Sequence, residues 1–244
     1  MVNVKIHVPC KENECLLDVD GFHADCKSLE NDGILVELIK HENNRKPIGQ
    51  LYNEILQQIR GSEDHVDYLI FLHSDAMLNV GNVIRRLQTM IGKYDIIGFA
   101  GAKSIDLNVS PLTWFTGSDS FKETRFGRVI QDVSLLTGDK ENRFGESFFN
   151  AEKPDVLDTQ VATIDGCCMI LTSKVINSDI LFNENFLNDF YDIDFCLNAR
   201  VNYDFSIGVL VEKIIHMSLG TSVLTEEYKE REKVFRQRWG LSIE

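Results

Sequence analysis

The chain has 244 residues, with 38 acidic against 25 basic side chains and a formal charge of −13. That length can bury a full core and fits one domain with at most a small appendage. The acidic balance argues against a phosphate backbone held on a basic surface, so nucleic acid is not an expected partner. An acidic protein that binds phosphates does so best through a metal ion. No apolar run reaches the roughly 20 residues needed to cross a bilayer, so no transmembrane segment is expected. The start, MVNVKIHVPC, lacks the basic end and long apolar stretch of a secretory signal, which makes a cytoplasmic protein the expectation.

Cys10, Cys15, Cys26, Cys167, Cys168 and Cys196 form no CxxC pair and have no histidine at zinc-finger spacing. They read as reduced thiols. Cys167, Cys168 and Cys196 fall in apolar runs and are expected in the core, whereas Cys10, Cys15 and Cys26 are close enough in sequence to approach one another.

Val2–Val8 reads as a first strand ending at Pro9. The polar stretch from Lys11 to Asn31 has Leu16, Leu17, Phe22 and Leu29 as anchors for a helix or two. A second strand, Ile34–Ile39, ends in His41, Glu42, Asn43 and Asn44. Pro47 suits a first helical turn, and Ile48, Leu51, Tyr52, Ile55, Leu56 and Ile59 then recur at helical spacing up to Gly61. Val66–Leu72 is rich in β-branched and aromatic residues and reads as a strand buried on both faces. It stops abruptly at His73, Ser74 and Asp75. In an open α/β sheet the C-terminal strand ends are where ligands bind. From the tripeptide alone, a cation held by His73 and Asp75 and a simple cap for the helix starting near Val80 are equally good readings. That helix should cover Val83–Ile91, with a fourth strand over Tyr94–Ala100. Strands separated by helices predict a mostly parallel sheet flanked by helices.

From Lys103 to Asp158 the pattern weakens. Polar residues alternate there with Trp114, Phe115, Phe121, Phe126, Phe144, Phe148 and Phe149, as in an excursion over the ligand edge. Trp114 is a candidate for stacking on a sugar or base, although a core or contact role is the more common one for such an aromatic. Val161–Leu171 reads as a strand interrupted by Asp165-Gly166, where glycine permits close backbone approach and the acid needs a partner. A helix beginning around Asp189–Asp194 places Asp192 and Asp194 about 200° apart, so only one faces a given cleft. At the helix N-terminus the macrodipole favours the ionised acid, which gives the expectation of a low pKa for Asp192. Phe205–Ile215 is read as a last strand ending on His216. Leu224–Trp239 is read as an exposed helix anchored by Phe235 and Trp239.

Taken in order, the Pro9 strand end, YLIFLHSDAML, TIDGCCMIL, FNENFLNDFYDIDFCLNARV, His216 and the final RWG resemble the GT-A glycosyltransferases of the family-2 type. The similarity is greatest to a subgroup with FLHxD in place of DxD and fYDID in place of the ED motif. The resemblance implies a GT-A, Rossmann-like fold over residues 1–222, with 223–244 as a helical tail packed on it. It implies an Mn²⁺ (or Mg²⁺) ion on Asp75 and His216, a carboxylate-plus-imidazole set that tilts the choice towards Mn²⁺. It places Pro9, Glu42, Asn43 and Asn44 at the base and ribose of a nucleotide, UDP being the favoured one. Asp165 and Gly166 would contact the donor sugar. His73, standing where relatives carry the first acid, would contact ribose or a water beside the ion. Asp192 would be the catalytic base, with Tyr191 in place of the usual glutamate. The implied reaction is transfer of a sugar from a nucleotide-diphosphate donor to a hydroxyl of a glycan or glycoconjugate, with inversion, in polysaccharide biosynthesis. Two other readings stand beside it: an inactive member of the fold that binds nucleotide sugar or glycan, and a metal-dependent phosphohydrolase or nucleotidyltransferase.

Overall fold

In the computed structural model, the residues described are 1–10, 19–107, 125–132, 144–149, 159–210, 212–217 and 225–241. The strands are β1 (Val2–Pro9), β2 (Ile34–His41), β3 (Tyr68–Leu72), β4 (Ala76–Leu78), β5 (Ile96–Gly98), β6 (Ala100–Ala102), β7 (Arg125–Asp132), β8 (Phe144–Phe149), β9 (Thr159–Gln160), β10 (Thr163–Ile164), β11 (Cys168–Thr172), β12 (Ile207–Val209) and β13 (Ile214–His216). The helices are α1 (Val19–Asn31), α2 (Ile48–Arg60), α3 (Val80–Gln88), α4 (Ser173–Ile176), α5 (Tyr191–Tyr203) and α6 (Glu226–Arg238). Among the described residues, no helix is long and apolar enough to cross a membrane.

The main sheet has the order β2-β1-β3-β11-β5-β12-β9. β1 pairs in parallel with both β2 and β3, and β12 in parallel with β5. The chain therefore crosses from β1 to β2 through α1 and returns past β1 to β3 through α2. Right-handed crossovers in opposite directions put the two helices on opposite faces of the sheet. The packing agrees. Val4, Ile6, Val8, Tyr68, Ile70 and Leu72 join Phe22 and Leu29 of α1 and Val83, Ile84 and Leu87 of α3 in one apolar layer. Leu69 and Phe71 face the other way, with Leu51, Tyr52, Ile55 and Leu56 of α2 and the apolar sides of α4, α5 and α6. β3 is thus buried on both faces, as its composition predicts.

Two strands break the parallel pattern, β9 at the edge, which runs antiparallel to β12, and β11 in the interior. β11 runs antiparallel to β3 on one side and to β5 on the other. Its N-terminal end, not its C-terminal end, therefore lies beside the end of β3. A second, smaller sheet has the order β10-β6-β7-β13-β4, with β8 paired to β7.

Several boundaries differ from the sequence reading. The expected fourth strand divides at Phe99 into β5 and β6, which belong to different sheets. The run Val161–Leu171 becomes β10 and β11, again in different sheets, and Phe205–Ile215 becomes β12 and β13. An apolar run records burial but not the point at which the chain leaves one sheet for the other. The α3 helix starts at Val80 because Asn79 is its cap, accepting from the Asn82 backbone N–H at 2.8 Å. His73 and Asp75 are separated from it by β4, so the capping reading of that pair is set aside. Leu16, Leu17, Cys15 and the stacking candidate Trp114 lie outside the described residues. Phe126 is buried in β7, and Cys26, Cys167, Cys168 and Cys196 are free thiols.

The charged face of α6 is less exposed than its composition suggests. Tyr228, Glu232, Phe235 and Arg236 are buried, and Arg236 Nε lies 3.1 Å from Glu232 Oε1. Phe235 is fully enclosed against Phe186, Phe190 and Trp239. Truncating a buried phenylalanine removes its transfer energy and leaves a cavity. Phe235→Ala should accordingly lose about 3–5 kcal/mol of unfolding free energy in a denaturant titration; a loss below about 1 kcal/mol would show that α6 is not anchored there.

Candidate active site

The site forms where three chain segments meet His216 of β13 at the end of β3. The first is the turn His73–Asp75. β13 pairs antiparallel with β4, placing His216 opposite Ala76, and the Met217 N–H donates to the Asp75 carbonyl at 2.9 Å. This brings His216 Nε2 to 3.5 Å from Asp75 Oδ1, while His73 Nδ1 lies 3.9 Å from the same oxygen. Ligand-capable atoms of His73, Asp75 and His216 all fall within 4.8 Å of one another.

The second segment is the turn into β11. Because β11 is antiparallel, Asp165, Gly166 and Cys167 arrive beside His73, whose backbone N–H donates to the Cys167 carbonyl at 3.0 Å. Asp165 Oδ1 in turn accepts from the Cys167 N–H at 2.7 Å.

The third is the start of α5. Phe190 caps it in the left-handed region at φ 64°, a conformation that costs a bulky residue roughly 1–3 kcal/mol and is held by its buried ring. From that bend Tyr191 points inward, its Oη 2.8 Å from His73 Nε2. Asp192 follows, with Oδ2 accepting from the Gly166 N–H at 2.9 Å and Oδ1 from the Ile193 N–H at 2.8 Å. A Cβ on Gly166 would lie 2.0 Å from Tyr191 Oη, so only glycine lets this hydroxyl through. Asp194 faces away and is bound by Arg238 Nε at 2.7 Å and Trp239 Nε1 at 2.9 Å.

The sequence profile described as "Glycosyltransferase like family" matches residues 21–239. The chain belongs to that family. No curated protein matches the sequence. Among solved structures, A197 from STIV aligns over 93% of this chain and 99% of its own, at 12% identity and a TM-score of 0.46. S. aureus TarS 1-349 aligns over 89% of this chain at 15% identity and 0.42, and GalNAc-T7 with UDP, GalNAc and Mn2+ over 89% at 8% and 0.46. The chain spans 60% and 44% of those two.

The charges of this glycosyltransferase-family site are strongly interdependent. Burial and the neighbouring His216 push the His73 imidazole down to about 4, so it is neutral at physiological pH. Burial also opposes a charge on His216, but Asp75 and Asp165 outweigh it and hold that imidazole above its ordinary pKa. Asp75 stays below the ordinary carboxylate value, because His216 and His73 prevail over its burial. Neither ring nitrogen of His216 has a hydrogen-bond partner among the described residues, although the residue is only 8% exposed. Two buried nitrogens that make no hydrogen bond among the described residues, one of them 3.5 Å from a carboxylate, suit a cation that binds both nitrogen and oxygen ligands. The Asp192 expectation needs correction. Burial and the charge of Asp165 push its pKa up to about 7, against the two backbone N–H groups that favour the ionised form. Desolvation here outweighs the helix end.

The other candidate residues stand further along the same edge. Pro9 ends β1 opposite His41 of β2, and the Asn44 N–H donates to the Cys10 carbonyl at 2.9 Å. Glu42, Asn43 and Asn44 line a cavity of about 510 Å³ together with His41, Arg45 and Lys46. Asn43 sits at φ 55°, a region that asparagine tolerates. His41 Nε2 lies 2.9 Å from His7 Nδ1 within β1. Tyr191 and Cys167 are the contributors to the cluster that sequence reasoning placed elsewhere, one as a substitute in a motif and the other in the core. Cys167 is indeed buried, but beside the acids and histidines. Gly166→Ala should displace Tyr191 from His73 and destabilise the protein by about 1–3 kcal/mol, the usual range for overpacking. Equal denaturation midpoints for variant and parent would contradict this account of Gly166.

Proposed function

We propose that this member of the glycosyltransferase-like family transfers a hexosyl unit from a nucleotide-diphosphate donor, with UDP favoured, to a hydroxyl of a glycan acceptor, with inversion at the anomeric carbon. The observation that carries the reading is the meeting of His73, Asp75 and His216, with Asp192 bound to the adjoining Gly166 N–H, at the ligand edge of the sheet in a chain of this family. Asp75 and His216 would hold a divalent ion, Mn²⁺ in preference to Mg²⁺. Such an ion supplies neutralisation of the leaving diphosphate oxygens.

The chain's own residues do the rest. Glu42–Asn44 receive the base and ribose in the cavity beside α2, with Pro9 at the neighbouring end of β1. His73, kept neutral and oriented by Tyr191, is available to donate or accept one hydrogen bond at the ribose or at a bound water. Asp165 and Gly166 border the donor sugar. Asp192 accepts the proton of the acceptor hydroxyl as that oxygen attacks. Its two backbone hydrogen bonds fix the carboxylate while leaving lone pairs free for the incoming proton. The implied setting is polysaccharide biosynthesis in the cytoplasm.

Two experiments test this. In a transfer assay over UDP-sugars and glycan acceptors with Mn²⁺, Asp192→Asn should lose about 10²–10⁴ in rate while keeping the parent's affinity for UDP. Asp194→Asn should keep near-normal turnover per folded molecule, because Asp194 is tied to Arg238 and Trp239. Transfer by Asp192→Asn at the parent rate would remove the base assignment, and UDP binding with no turnover on any acceptor would favour an inactive binder. The second experiment is the pH profile. A base must be ionised, and Asp192 gains its proton as pH falls through about 7. The parent's rate should decline below about pH 7 and level off above it; a rate that stays flat down to pH 5 would contradict a raised pKa for the base.

A further inference from the structure

We propose that Asp165, Cys167 and His216 form a binding site for a soft divalent cation such as Zn²⁺, with the Cys167 sulfur as a ligand. One ligand atom from each of these residues falls within 4.8 Å of the others. His216 is only 8% exposed and neither ring nitrogen makes a hydrogen bond among the described residues, its nearest polar neighbour being Asp75 Oδ1 at 3.5 Å from Nε2, a pairing that an ion can replace. Cys167 is 1% exposed, and its backbone is pinned on both sides, by Asp165 Oδ1 at its N–H and by the His73 N–H at its carbonyl. Its thiol lies within 4.8 Å of a ring nitrogen of His216 and of an Asp165 carboxylate oxygen. Of the three, Asp165 is the one partly exposed to solvent.

The donor set decides the class of ion. Thiolate, imidazole and carboxylate together suit Zn²⁺, whereas Mn²⁺ and Mg²⁺ prefer oxygen-rich sites without sulfur. Tetrahedral zinc with three protein ligands keeps a fourth position for water, and its donors stand about 3.4 Å apart. The three side chains reach that spacing by small rotations inward. Binding releases the thiol proton to solvent, since the thiolate is the ligand. His216 also belongs to the group with His73 and Asp75, so a zinc ion on the Cys167 side withdraws it from Asp75. Soft and hard cations would then compete for one histidine. The site itself stands on the cluster and does not depend on the sugar-transfer reading; only the competition does.

Cobalt reports the ligand directly, because a thiolate bound to Co²⁺ gives a sulfur-to-metal charge-transfer band in the near ultraviolet. Chelator-treated protein titrated with Co²⁺ should develop this band with one equivalent, and Zn²⁺ should displace it. Cys167→Ser should lose the band and Cys10→Ser should keep it. His216→Ala should weaken Co²⁺ binding by at least about tenfold. The zinc-loaded parent, examined by X-ray absorption, should show one sulfur neighbour at about 2.3 Å, a readout that requires no variant to fold. No band in the parent, a band that survives in Cys167→Ser, or a zinc shell without sulfur would each overturn the proposal. A thiolate band in a protein that transfers no sugar to any acceptor would sink the sugar-transfer reading and leave this one standing.

Discussion

The site depends on a contact that only a residue without a side chain can make. At Gly166 the backbone passes so close to Tyr191 that a single added carbon would overlap its hydroxyl. That approach does three things at once. It lets Tyr191 reach His73, it offers the Gly166 N–H to the Asp192 carboxylate, and it sets Asp165 and Cys167 against His216. The close approach exists because β11 runs against its neighbours, so its first residues, not its last, meet the end of β3. A fully parallel sheet would carry Asp165 to the opposite edge.

Electrostatics follow from that crowding. Asp75, Asp165 and Asp192 stand close around two histidines at the sheet's edge. The acids do not behave alike. Asp75, beside two imidazoles, remains readily ionised, whereas Asp192, beside another acid, is pushed up towards neutrality. Environments that drive similar groups apart in pKa are the usual basis for dividing roles between them. Here the division runs between a carboxylate suited to a cation and one suited to exchanging a proton. Asp194, two residues from Asp192, is drawn out of the question by Arg238 and Trp239 of the C-terminal segment.

Much of this was legible in the sequence, and the parts that were not have physical reasons. The run Val66–Leu72 announced a doubly buried strand, and its abrupt stop at His73–Asp75 marked the ligand edge. The helical spacing from Ile48 to Ile59 located α2 to within a residue. The 200° separation of Asp192 and Asp194 was enough to send them to different surroundings. Strand direction was not legible: nothing in CMIL says that β11 runs antiparallel, because alternation and burial are the same either way. Sheet switching at Phe99 and beyond Val209 was hidden for the same reason. Cys167 looked like core and is core, yet the residue's neighbours depend on pairings distant in sequence. The pKa of Asp192 was misjudged because the helix end could be read from the chain while the burial and the nearby Asp165 could not.

The central claim is that a cation held at Asp75 and His216 couples this site to a nucleotide diphosphate. Calorimetric titration of the parent protein with UDP, in the presence and absence of Mn²⁺, tests it most directly. The account predicts binding that strengthens markedly with Mn²⁺ and loses that gain in Asp75→Ala while the fold is kept. Equal UDP affinity with and without the ion in the parent protein would contradict it.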